Sequence, residues 1–141
     1  MRALPPSARD LIESAPLAHV VTLNPDGTPQ VTCVWLGLEG DRVYFASLVE
    51  HQKVRNLRRD SRVVISIPSA SEIAPGVQEY LVIYGMAEVR EGGGAAALQT
   101  LARQYIDADA IYPDMDDPPP GFVVLITADR SRGVGPWMEG K

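Results

Sequence analysis

Apolar positions along the chain change their period several times, and each change marks an element. Between residues 6 and 15 they follow a helical repeat, with Leu11 and Ile12 on the apolar side, Pro6 suited to a first turn and Pro16 as the stop. This predicts a short helix. From Leu17 onward the period drops to two. Three β-rich runs, near 17–24, 29–38 and 42–48, are divided by "NPDG" and "LEGD", both of which carry turn chemistry, and they predict a meander of antiparallel strands.

Alternation assigns the faces of these runs. Val31, Cys33 and Trp35 point one way and Thr32, Val34 and Leu36 the other, so neither face of the second run is plainly polar and both are expected to be covered. The third run sets Val43, Phe45 and Ser47 against Tyr44, Ala46 and Leu48. "EHQKVRNLRRD" then combines good helix formers with Val54 and Leu57 three residues apart, which predicts a short helix ended by Asp60 and Ser61. "RVVISIPS" reads as a fourth strand and "QEYLVIYGMAEVRE" as a long fifth, with Gly85 where a bulge or a close neighbour is expected. "EGGGAAALQTLARQYI" reads as a helix, "DMDDPPPG" as a loop and "FVVLITADR" as a sixth strand. Strands outnumber helices and no β-α-β repetition occurs. The pattern therefore favours a mainly β, α+β chain built on a closed or nearly closed antiparallel barrel.

Length and composition narrow this without changing it. The 141 residues suit a single domain spanning 1–141, and 45% hydrophobic with 22% charged residues is ordinary globular usage. Cys33 is the single cysteine, which excludes an internal disulfide and favours a reducing cytoplasm. The first residues lack the apolar core of a signal peptide, and no apolar run approaches the length of a membrane span, so no membrane association is expected. The net charge is −5, yet between residues 51 and 62 five bases, Lys53, Arg55, Arg58, Arg59 and Arg62, face one acid, Asp60. A nucleic-acid binder needs a broad basic face. One short basic segment on an acidic chain suits a small anionic ligand better, and nucleic acid is not expected as a partner.

The usual self-sufficient catalysts are missing. His19, His51 and Cys33 lie apart with no C-x-x-C or H-E-x-x-H spacing, so no metal site is expected, and no G-x-S-x-G elbow is present. "EGGGA" lacks the spacing of the dinucleotide and phosphate-loop fingerprints and reads as a helix start. Chemistry, if any, would come from a cofactor. The basic helix is the place to hold one, because a phosphate at a helix start meets free N–H groups and the positive end of the dipole. Ser47 lies just upstream, Gln52 and Lys53 fall in the first turn, and Asn56 follows Lys53 on the same side, a set able to supply one charge and several neutral donors. The residues alone leave open the plainer reading, a solvated charged face.

The stretch "GTPQVTCVWLGLEGDRVYFASLVEHQKVRNLRRDSRVVISI" resembles the core of the split β-barrel flavin and deazaflavin oxidoreductases, the superfamily that includes pyridoxamine 5′-phosphate oxidase. It is most similar to the branch whose members use the deazaflavin coenzyme F420. Similarity runs from about residue 6 to residue 128, and its most specific part is "DG-x-P", a strand ending in "VW", a further strand and "K-x-R-N-L-R-R-D". The resemblance implies a six-stranded antiparallel split barrel with short flanking helices, forming a homodimer with cofactor sites at its interface. It also implies that Thr32, Cys33, Val34 and Trp35 line the ring largely through backbone groups, that Ala46 and Ser47 meet the phosphate end, and that Lys53 is the phosphate lysine, with Gln52 and Asn56 beside it. Tyr80 would reach the ring or the ribityl chain from the fifth strand. Where pyridoxamine phosphate oxidases carry arginine and lysine, this chain has Thr32, Gly37 and Gln52, which weakens an FMN reading and fits coenzyme F420.

The function so implied is hydride transfer from reduced F420 to a small electron-poor or unsaturated acceptor, with any proton supplied by Tyr80, Tyr84 or solvent. Alternatives on the same fold are FMN or haem binding, or a cofactor-binding module without turnover. Trp137 and Met138 in the tail "RGVGPWMEGK" could enter a partner's cleft or pack on their own barrel, and both remain open at this point.

Overall fold

The computed structural model describes residues 4–138; residues 139–141 of the tail lie outside the described residues. The elements are α1 (Pro6–Glu13), β1 (Ala18–Leu23), β2 (Pro29–Val34), β3 (Gly37–Glu39), β4 (Arg42–Ser47), α2 (Gln52–Arg59), β5 (Arg62–Ala74), β6 (Val77–Glu91), α3 (Gly94–Tyr105), β7 (Phe122–Val134) and a 3-10 turn at Pro136–Met138. All strands belong to one antiparallel sheet in the order β2-β1-β5-β6-β7-β4-β3. The mainly β class with three helices agrees with the sequence pattern.

Among the described residues the strand count differs from expectation, seven rather than six, because the run expected at 29–38 is cut between Val34 and Gly37. Its first half pairs with β1 and its second half with β4, so two consecutive pieces of chain form the two opposite edges of the sheet. The sheet is therefore not closed by hydrogen bonds, and its edges meet only through the chain at Trp35 and Leu36. The expected meander breaks at the same point. Side-chain alternation gave no sign of the cut, since Val34 and Leu36 both turn inward, at 9% and 0% exposure. What the backbone loses in ladder bonds, α3 partly restores. Leu36 N–H donates to the Tyr105 hydroxyl at 2.9 Å, and that hydroxyl donates to Pro16 O at 2.6 Å.

Inward-facing residues of every strand form the core, among them Val20, Phe45, Ile65, Ile67, Leu81, Ile83 and Ile126, together with Ile12 of α1 and Val54 and Leu57 of α2. The opposite face of β2 is open: Val31 is 57% exposed and Cys33 is exposed, so the expectation that both faces are covered fails within one chain. Gly85 sits at a register shift between β6 and β7, where a Cβ would lie 2.4 Å from Thr127 O; both parts of that expectation hold. Trp137 is buried at 5% exposure in its own chain's core, and its indole N–H donates to Tyr80 O at 2.9 Å. Of the two readings of the tail, packing on its own barrel is the one observed for Trp137. Among the described residues, no helix is long and apolar enough to cross a membrane.

Candidate functional site

The cut in the sheet leaves unpaired backbone on both sides. β2 has a partner on one edge only, and β3 covers β4 just from Arg42 to Tyr44, so Phe45 to Ser47 lack a neighbour on that side. A slot of about 210 Å³ opens there, lined by Leu17, Cys33, Val34, Trp35, Ala46, Ser47, His51, Lys53, Leu98 and Tyr112. Strand edges with free N–H and C=O groups can bond a ligand through main-chain atoms, without a dedicated side chain.

One end of the slot is positive. α2 begins after His51, whose backbone is extended, and no side chain caps its first N–H groups. Lys53 is half-buried there; burial alone pushes its ammonium below the usual lysine range. Among the described residues no carboxylate forms an ion pair with it. His51 is held below its ordinary value first by burial and then by the charges of Lys53 and Arg55. Ser47 is 5% exposed, and its hydroxyl donates to Val49 O at 2.6 Å, which fixes the corner between β4 and α2 while leaving its oxygen lone pairs. An unpaired cation beside an uncapped helix start is an arrangement that favours an anion.

The other wall is aromatic. Trp35 stacks on Tyr105 with ring centroids 5.4 Å apart and 20° between planes, and Tyr112 meets Trp35 edge-on at 5.5 Å and 65°. Sequence reasoning assigned Trp35 to this place and missed Leu17, His51, Leu98 and Tyr112. Tyr112 belongs to a loop with no periodicity, so nothing local to it could have signalled the contact.

Of the residues expected to bind a cofactor, the slot brings together Cys33, Val34, Trp35, Ala46, Ser47 and Lys53. It does not include Thr32, Gln52, Asn56 or Tyr80. The Thr32 hydroxyl oxygen is buried without a hydrogen-bond partner among the described residues. Asn56 is fully buried; its amide donates to Thr22 Oγ1 and Asn24 Oδ1, both at 3.0 Å, and its oxygen accepts from Gln52 Nε2 at 2.8 Å and from Arg59 at 3.3 Å. Gln52 Oε1 accepts from Arg55 at 2.7 Å. These two amides tie α2 to β1 and the "NPDG" turn rather than extending the slot, because their hydrogen-bonding groups are taken up by Thr22, Asn24, Arg55 and each other. Tyr80 lies on β6 opposite Val134 and is 42% exposed, and Tyr84 lies under Arg130, 4.4 Å from its guanidinium. Neither of these expected proton sources lines the slot of its own chain.

Gly37 has a stated reason to be glycine. A Cβ there would lie 2.5 Å from the Tyr44 ring, so the arginine or lysine of the oxidase pattern could not enter without displacing Tyr44. Among the described residues, no group of three or more His, Cys, Asp or Glu is placed to hold a metal ion.

The family model of pyridoxamine 5′-phosphate oxidase matches residues 4–135. No curated protein matches the sequence. Among solved structures, an F420 reductase aligns with a TM-score of 0.72 at 23% identity, over 91% of this chain and 98% of its own. A conserved hypothetical protein from Mycobacterium tuberculosis aligns at 0.71 and 23%, over 90% and 81%. The HupZ protein of Group A Streptococcus aligns at 0.66 and 20%, over 92% and 93%. At these identities the structural likeness carries the fold, and the family rests on the match along nearly the whole sequence. The chain belongs to the pyridoxamine 5′-phosphate oxidase family.

Proposed function

We propose that the protein binds reduced coenzyme F420 in this slot and passes its hydride to a small electron-poor or unsaturated organic acceptor. The observation that carries the reading is Lys53: a half-buried ammonium with no acidic partner among the described residues, at an uncapped helix start inside the slot. Lys53 and Ser47 would hold the phosphate-bearing chain of the coenzyme, and the free edges of Cys33 to Trp35 and Ala46 to Ser47 would flank its ring. The neutral residues Thr32, Gly37 and Gln52 favour F420 over FMN, since the cations of an oxidase clamp are missing at all three positions. The bound deazaflavin would supply the hydride; the protein's share is to fix the ring, orient the acceptor and exclude water.

A second copy of the chain completes the site in this reading. A slot of about 210 Å³ is smaller than the roughly 300–1,000 Å³ of sites that enclose a small ligand, so one chain offers only part of the wall. The open outer face of β2, with Val31 and Cys33, adjoins the slot and supplies apolar surface for a homodimer. Tyr80, exposed and remote from its own slot, would then act in the partner's. The reducing cytoplasm suits the free thiol of Cys33 and remains the proposed location.

Titration of the purified protein with F420 and, separately, with FMN tests the cofactor, and sedimentation velocity tests the dimer. Micromolar or tighter F420 binding with weaker FMN binding is expected. Tight FMN or haem binding without F420 binding would replace the reading by a flavin or haem protein, and F420 binding without oxidation by any electron-poor acceptor would leave a carrier module.

A further inference from the structure

Tyr112 is the lining residue whose presence in the slot nothing in the sequence explains. Its loop, residues 106–121, has no regular secondary structure, and loops of such length inside compact folds are usually either functional or disordered. This one is held at its two ends by backbone bonds, Ile106 N–H to Ala102 O and the Gly92 and Gly94 N–H groups to Gly121 O and Pro120 O, and in its middle by one side chain. The Gln99 side chain on α3 acts as a ladder partner for it: Nε2 donates to Ala110 O at 2.7 Å, and Oε1 accepts from Tyr112 N–H at 3.0 Å. With its backbone so held, Tyr112 sets its ring edge-on against Trp35, which is itself held on α3 by stacking on Tyr105. Tyr105 is anchored through its hydroxyl to Leu36 N and Pro16 O. The result is a graded row of rings, fixed at Tyr105 and open at Tyr112, which is 42% exposed and makes no hydrogen bond through its hydroxyl among the described residues.

We propose that Tyr112 is the specificity-determining contact for the acceptor, and that Gln99 is the positioning residue that keeps it there. This deepens the reading of the slot as a cofactor and acceptor site and rests on it. Lys53 and the helix start occupy the anion-binding end. Tyr112 stands at the aromatic end, where its exposed ring can stack on an acceptor and its free hydroxyl can donate to a carbonyl or nitro oxygen. Gln99 does not line the slot, so it acts only through the loop.

The latch is tested without any cofactor by acrylamide quenching of tryptophan emission. Trp137 is buried at 5% exposure, so the accessible quenching reports Trp35. Tyr112→Ala and Gln99→Ala should both raise it, and Tyr112→Phe should not. Equal quenching in all variants overturns the latch. The acceptor contact is tested with F420-loaded protein and two unsaturated lactones, flat aromatic coumarin and non-aromatic 5,6-dihydropyran-2-one. Loss of one aromatic contact corresponds to as much as about tenfold in affinity. Tyr112→Ala should raise KM for coumarin by about that factor while kcat and the F420 dissociation constant stay within about twofold, with a smaller change for the pyranone. Gln99→Ala should follow in the same direction, and Gln99→Glu, which retains the acceptor for Tyr112 N–H, should recover part of the loss. Equal KM changes for both lactones, or none, overturn the assignment while leaving the F420 reading intact. Absence of F420 binding in the unaltered protein overturns the reading and the acceptor role together, and the quenching result still decides the latch.

Discussion

The two ends of α2 carry the same kind of residue and treat it differently. In the last turns, Arg58 pairs with Glu50 at 2.8 Å and with Glu91 at 2.5 Å and lies 5.0 Å over the Phe122 ring, while Arg59 donates to Leu23 O and to Asn56. Arg55, between them, donates to Glu50 O at 2.7 Å and to Gln52. In the first turn Lys53 has no such partner among the described residues and is half-buried instead. Charges that are already bonded hold the structure, and the cation that lacks a counter-ion is the one placed to meet a ligand. Counting bases along the helix would rank the two ends in the opposite order.

The comparison is broken hardest at the node beneath both ends. Asn56→Ala should remove the buried amide that joins α2 to Thr22 and Asn24, costing about 3 kcal/mol for the groups left unsatisfied. For a chain of this size that lowers Tm by roughly 6–12 °C, measurable by calorimetry. A shift under two degrees in that scan would mean that water replaces the amide.

Lys53→Ala should act on the ligand and not on the fold, weakening cofactor binding by about 1.5–3 kcal/mol, the scale of a charge-assisted hydrogen bond. Unchanged affinity by titration would move the anion site elsewhere. Its pH dependence has a definite sign. The folded-state pKa of Lys53 lies below the unfolded one, so burial of the charged form opposes folding at neutral pH, and that opposition is relieved as pH rises through the folded pKa toward 10.5. Lys53→Met should accordingly raise Tm at neutral pH, with the gain shrinking as the pH approaches ten. Cofactor affinity of the unaltered protein should fall over the same range.

At the opposite end Arg58→Ala should cost at most about 1 kcal/mol, because both of its ion pairs are partly exposed and screened. F420 affinity should not change, and a loss comparable to that of Lys53→Ala would erase the distinction between the ends. The smallest effect belongs to Asp60, which closes α2. Two hydrogen bonds from the Arg62 guanidinium, at 3.0 and 2.7 Å, lower its carboxyl to about 2. A depressed carboxylate stabilises above its unfolded pKa of 3.8 and loses that contribution as pH falls toward 2. Denaturation of Asp60→Asn should thus differ from the unaltered protein near pH 6 and converge with it near pH 2, and parallel curves would discount the pair.

Much of this architecture was legible because its signals are local. The "NPDG" turn, the alternation in β1 and β4, the glycine at residue 85 and the helix after Ser47 each depend on residues within a few positions of one another. Lys53 was legible for the same reason, since its place in a first turn follows from where the preceding strand ends. For Gln52 and Asn56, helical spacing tells which residues share a side, and not which long-range partners their amides meet. Asn56 is claimed by Thr22, thirty-four positions earlier. Tyr112 could not be read at all: no repeat or motif announces its contact with Trp35 or the bond from its N–H to the Gln99 amide.

The sequence by itself determined the class of the fold, the order of its elements apart from the separation of β2 and β3, the family and one cation at a helix start. Only the tertiary structure decided where the sheet parts. Residues 29–38 alternate without interruption, yet Pro29–Val34 and Gly37–Glu39 go to opposite edges, and the slot exists because of that division. Periodicity is a property of neighbours along the chain and survives any choice of pairing. Unpaired edges and unpaired charges are properties of the whole arrangement, set only when Glu91 has reached Arg58, Leu23 has reached Arg59, and no acid among the described residues has reached Lys53.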